Sequence, residues 1–268
     1  MLIRIGYDIR FDFPGPTPLL LLLFVHPSRC ADLERPDRLR SAPALQIEEF
    51  LDGFGNRCAR TLAPAGPLRL SADTLVRDDG LPEPAFPELR QHPVSELPVE
   101  TLPFLLGSRY CETDLLAPVA WRLFGACPEG WPRVQAVCDW VHEHIRFGYE
   151  HARADKGAWE VFRDRRGVCR DMAHLAVAFC RCLHIPARYA SGYLGDIGIP
   201  PDPLPMDFNA WFEAYLGGAW HTFDPRHNTR RIGRVLMSLG RDATDTALTT
   251  AFGRNNLTGF RVITEEVG

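Results

Sequence analysis

Six prolines fall within residues 81–103: Pro82, Pro84, Pro87, Pro93, Pro98 and Pro103. Proline fixes φ and has no N–H, so such a stretch can neither continue a helix nor donate to a strand ladder. It reads as a linker or extended arm, and the chain changes pattern across it. Before it, short strand-like runs alternate with turn signals. Leu2 to Phe11 alternates apolar and polar residues, and Leu19 to Val25 follows a Pro-Gly-Pro-Thr-Pro turn. Ile47 to Leu51 and Arg57 to Leu62 flank the hairpin-like turn Asp52–Asn56, and Leu68 to Val76 is a further candidate. This spacing predicts an all-β sandwich or partial barrel. After the arm, Val134, Val137, Trp140, Val141 and Ile145 recur at helical spacing within 131–147. Met172, Leu175, Ala176, Phe179 and Leu183 do the same within 170–183. A strand over 185–194, a Pro- and Gly-rich loop over 195–207, and an antiparallel hairpin (208–216, Gly217-Gly218, 219–224) follow. No pattern dominates beyond Arg226. The expectation is an α+β chain, with a β-rich domain and its linker over 1–104 and a second domain over 105–268.

The 268 residues, 46% hydrophobic and 24% charged, can bury a core without disulfide or metal staples. They exclude collagen-like, coiled-coil and disordered classes. A net charge of −4 argues against a nucleic-acid partner. The apolar run 19–25 is far short of the ~20 residues of a membrane helix, and no secretory pattern opens the chain. The expectation is therefore cytoplasmic, with no membrane partner. Eight cysteines are too sparse for a disulfide scaffold, so a special cysteine here is more readily catalytic or metal-bound. Cys180, Cys182 and His184, and separately Cys138, His142, His144 and His151, cluster in sequence. Residues two apart on a helix do not converge on one ion, so no metal is expected. Phosphate-loop and dinucleotide fingerprints are absent, and no cofactor is expected.

Cys169 stands where a loop turns into a helix, in Gly167-Val168-Cys169-Arg170-Asp171-Met172-Ala173-His174. The unpaired N–H groups of a helix start carry partial positive charge. They favour the thiolate, which is the nucleophilic form, and can later donate to an oxyanion. Gly167 leaves room beside the sulfur. Taken alone, a cysteine in a helix is more often a small buried core residue.

The surroundings point elsewhere. A-W-E-V-F, G-V-C-R-D-M-A-H and I-P-A-R-Y-A-S-G-Y lie between residues 158 and 193. N-A-W-F-E-A-Y-L-G-G-A-W-H-T-F-D-P-R-H-N begins at Asn209. Together these blocks resemble the transglutaminase-like superfamily over roughly 105–268. The β-rich first part is similar to the domain that precedes this core in bacterial members. The resemblance implies a papain-like core and a Cys-His-Asp triad, with Cys169 as nucleophile and Asp224 as the carboxylate that orients the base. Its histidine position holds Asn209. An asparagine can hydrogen-bond Asp224 and the sulfur, but its amide accepts no proton near neutral pH.

His221 points to the opposite strand face from Asp224, His227 sits in the turn after it, and His174 lies round the helix from Cys169. All three read as surface or supporting residues. Asn209 is either a single silencing change in an otherwise active enzyme or the mark of a naturally inactive relative. The first is favoured because everything else in both blocks fits. Tyr149 or Trp159 is a candidate for completing the oxyanion site, with Trp211 and Glu213 shaping the cleft. The implied activity is thiol-mediated acyl chemistry on a peptide or carboxamide, with hydrolysis ranked ahead of transamidation and no calcium loop in evidence. The partner is a peptide or protein substrate. The alternative is an inactive peptide-binding module.

Overall fold

The structure is a computed structural model that describes residues 1–203 and 205–268. Every second side chain from Ile3 to Phe13 is buried, which is the period of a strand with one covered face. That pattern makes β1 Leu2–Phe13, followed by β2 Thr17–Leu21, β3 Arg40–Ala42, β4 Glu48–Leu51, β5 Arg57–Ala63 and β6 Gly66–Arg77. The second half holds α1 Thr113–Phe124, α2 Trp131–His144, β7 Arg146–Phe147, α3 Ala158–Asp164, β8 Arg166–Gly167 and α4 Cys169–Cys182. It ends with β9 Ala187–Tyr193, β10 Asn209–Leu216, β11 Ala219–Phe223, β12 Val235–Gly240, β13 Thr249–Ala251 and β14 Asn256–Val267.

The first sheet runs β14-β1-β6-β3 and the second β13-β2-β5-β4, while the core sheet is β11-β10-β9-β12. The turn between β4 and β5 forms as expected. The Asp52 N–H donates to Asn56 O at 3.1 Å, and the Asp52 carboxylate accepts the N–H groups of Phe54 and Asn56. The run expected as a strand over 19–25 leaves the ladder at Leu21, although Leu22 to Val25 stay buried. Helices α1 and α3 lie where the sequence offered no clear period, and Pro118 interrupts the pattern of α1. Beyond Arg226, β12 adds to the core sheet beside β9, and β13 and β14 return to the amino-terminal layer. β14 pairs with β1 from Leu2↔Val267 to Asp12↔Asn256, and β13 pairs with β2. That layer, expected from residues 1–104, therefore also contains 249–267.

The proline stretch lies as an arm against the second half. The N–H groups of Trp131 and Gly217 donate to Leu89 O (2.9 Å) and Arg90 O (3.1 Å). Gly130 adopts φ +92°, and a Cβ there would meet Leu89 O at 2.2 Å, so only glycine fits.

One core packs α1, α2 and α4 on the inner face of β10, through Phe212, Ala214 and Leu216. The other joins the amino-terminal sheets to Tyr193, Phe208, Val235 and Met237. The buried Asn56 ties the two parts. Its amide donates to Leu239 O (2.7 Å) and accepts the Leu239 N–H (2.8 Å).

Candidate active site

Val168 precedes α4 in extended backbone, and the Asp171 carboxylate reaches back to accept the Val168 N–H at 3.1 Å. This closes the helix start as an N-terminal cap does and sets Cys169 in the first helical turn. Gly167 matters for a different reason from the one expected. A Cβ there would lie 2.7 Å from the Asp171 Cβ, so the glycine makes room for the cap rather than for the sulfur.

Cys169 is half-buried and lines a cavity of about 560 Å³ with Tyr149, Tyr189, Asp207, Asn209 and Ala210. Of the three residues expected to converge, Cys169 and Asn209 line this cavity, and Asp224 does not. Ala210, at the start of β10, also lines this cavity. The expected depression of the thiol is not found. Burial pushes the Cys169 thiol above its ordinary range, and the positive charge of Arg226 and the Ala210 N–H offset this only in part. Desolvation of the anion outweighs both.

Asn209 does not reach Asp224. Its amide N–H donates to Leu194 O and Asp207 O, both at 3.3 Å, and its Oδ1 accepts from Arg226 Nη1 at 2.9 Å. The expected bond between Asn209 and Asp224 is absent because other groups occupy the carboxylate. Asp224 Oδ1 accepts the N–H groups of Arg226 and His227. Its Oδ2 lies 2.8 Å from His227 Nδ1 and 3.0 Å from Arg234 Nη2. Burial opposes ionisation of Asp224, but Arg234 and His227 together hold its carboxyl well below the usual range. His227 thus folds back onto Asp224. Glu83 of the arm holds the other side of Arg234.

Tyr149 lines the cavity beside Cys169. Trp159 stacks on Phe162 at 5.8 Å, and Trp211 lies 1% exposed beneath the Arg234 guanidinium at 4.5 Å. Among the described residues, neither lines the Cys169 cavity. Trp211 packs with Ala190 and Leu239 on the face of β10 turned from α4, and Glu213 pairs with Arg188 at 2.6 Å. His174, expected at the surface or in support, is fully buried. It stacks on Tyr110 at 5.0 Å and accepts the Ala243 N–H at 3.1 Å. His221 packs against Phe86 and Trp131.

Two residues of the site escaped the sequence reading. Arg226 lies over the Phe147 ring at 4.0 Å and holds Asn209. Asp207 lines both the Cys169 cavity and an adjoining one of about 260 Å³ that holds Arg226 and His227. Arg226 stood inside the second motif block, and Asp207 stood two residues before it.

Residues 122–225 match the model of the transglutaminase-like superfamily. The chain is 32% identical to a candidate cysteine protease of Cytophaga hutchinsonii, whose crystal structure superposes with a TM-score of 0.85 over 99% of this chain and 90% of that one. It is also 24% identical, over 233 residues, to an uncharacterised protein of Mycobacterium leprae, with 79% of this chain and 77% of that protein covered.

Proposed function

The chain belongs to the transglutaminase-like superfamily, and from that premise we propose that it performs thiol-mediated hydrolysis of a peptide or carboxamide through Cys169. The fold is a scaffold for cysteine-dependent hydrolases and acyltransferases. The observation that carries the proposal is the meeting of Cys169, half-exposed at the first turn of α4, with Asn209 and Ala210 at the start of β10 in one cavity.

The sulfur attacks the carbonyl carbon, the C–N bond breaks as the thiol proton passes to the departing amine, and water then releases the acyl group from the thioester. Amides at the helix start stabilise the oxyanion. Asn209 accepts no proton, so the chain is slow, by about 10²–10⁴-fold relative to one with a histidine there. With both motif blocks otherwise intact, we read Asn209 as a single silencing change to an active scaffold. All eight cysteines are free, which fits a reducing compartment such as the cytoplasm.

One observation favours the second reading, an inactive peptide-binding module: Asp224 is already engaged by His227 and Arg234. Hydrolysis of labelled casein separates the two. The Asn209→His variant should turn over about 10²-fold faster or more than the parent, and Cys169→Ala should abolish turnover. An Asn209→His protein that binds casein but cleaves it no faster than the parent would favour the binding module.

A further inference from the structure

Acyl release needs a proton acceptor, and the expected one is missing. Among the described residues lining the Cys169 cavity, Asp207 is the only carboxylate and none is a histidine. The tyrosines there cannot serve. Burial holds the phenols of Tyr149 and Tyr189 above their ordinary range, so they stay protonated and act as donors, and the Tyr110 hydroxyl donates to Ala154 O at 2.7 Å. Arg153 and Arg170 are cations with no lone pair to offer. His227 lines only the adjoining cavity, with its Nδ1 tied to Asp224.

Asp207 stands where the two cavities meet. Among the described residues, its Oδ1 accepts the Phe208 N–H at 2.7 Å and no hydrogen bond goes to Oδ2. Burial raises its proton affinity, with the Phe208 N–H and the Arg226 charge opposing. Asn209 donates to the Asp207 backbone carbonyl, which fixes this residue against the start of β10.

We propose that Asp207 is the proton acceptor for the water that releases the acyl group from Cys169. The proposal rests on the hydrolytic reading above. In the step, the water oxygen bonds to the thioester carbonyl carbon as one of its protons passes to the Asp207 carboxylate. The tetrahedral intermediate then collapses, the C–S bond breaks, and the departing sulfur takes that proton back. The products are a carboxylic acid and the free thiol, with the carboxylate restored.

The test uses the full chain and p-nitrophenyl acetate, whose leaving group needs no acid. The parent should show a burst of nitrophenol as Cys169 is acetylated, then slow steady turnover. Asp207→Asn should keep the burst and lose about 10²-fold or more of the steady rate. Hydroxylamine, a strong nucleophile, should release the acetyl group from Asp207→Asn as fast as from the parent, which a merely structural loss would not allow. Alkylation of Cys169 by iodoacetamide should be unchanged or faster in Asp207→Asn, because a neighbouring negative charge is gone. Steady turnover equal to the parent would overturn the proposal. So would loss of burst, alkylation and turnover together. Loss of the steady phase in His227→Gln but not in Asp207→Asn would transfer the role to the Asp224–His227 pair. A parent with no burst at Cys169 would defeat the hydrolytic reading itself.

Discussion

At Cys169 two influences oppose each other. Arg226 and the Ala210 backbone favour the thiolate, while burial beside Tyr149 and Tyr189 favours the thiol, and burial wins. The motif identified this residue in the sequence, but its protonation state depends on neighbours 20 to 57 positions away, which no local reading contains. The same holds for His174. Its imidazole accepts the Ala243 N–H, so the other ring nitrogen carries the proton, and that atom has no hydrogen-bond partner among the described residues. Burial pushes His174 down to about 3, and Asp242 opposes this only in part. The unfolded chain therefore binds this proton more readily than the folded one between those limits. Stability from this residue is full above about pH 6.5 and falls as the pH drops toward the folded value. Urea denaturation should show a loss on the order of 2 kcal/mol from about pH 6.5 to about pH 5. His174→Asn should flatten that slope, and an unchanged slope would count against this origin.

Among the elements, α4 and the β10–β11 hairpin were legible because each carries a strong period, with Gly167 just before the helix and Gly217-Gly218 in the hairpin turn. The pairing Phe212↔Phe223, with Asp224 just beyond the end of β11, is what that pattern implies. The direction of Trp211 was not legible. Alternation assigns it to the face of Asn209, but only the structure places Arg234 and Leu239 over it. Helix α1 was hidden by Pro118, and β13 and β14 by partners that lie at the other end of the chain. The cap of α4 gives an element-scale test. Gly167→Ala places a methyl group 2.7 Å from the Asp171 Cβ and 3.0 Å from its Oδ2. It should cost about 1–3 kcal/mol, typical of overpacking, and slow Cys169 alkylation as the helix start shifts. Unchanged stability and alkylation would mean that Asp171 moves aside without consequence.

For the molecule as a whole, both ends of the chain build one layer. β14 lies along β1, and β13 joins β2 close to the segment that walls the Cys169 cavity, where Thr246 to Thr249 contribute. The arm closes the other side, with Glu83 holding Arg234 and Arg234 holding Asp224. The candidate site is thus assembled from α4, β10, the turn after β11, the arm and the strands of the amino-terminal layer. Motif spacing could supply Cys169 and Asp224 but not the Glu83–Arg234–Asp224–His227 chain, whose members lie up to 151 positions apart. The account stands on Cys169 accepting an acyl group, and peptide mapping of the protein quenched early in its reaction with p-nitrophenyl acetate tests this directly. An acetyl thioester on Cys169, absent from Cys169→Ala, is the predicted result. Acetyl found only on other cysteines, or on none, would contradict it.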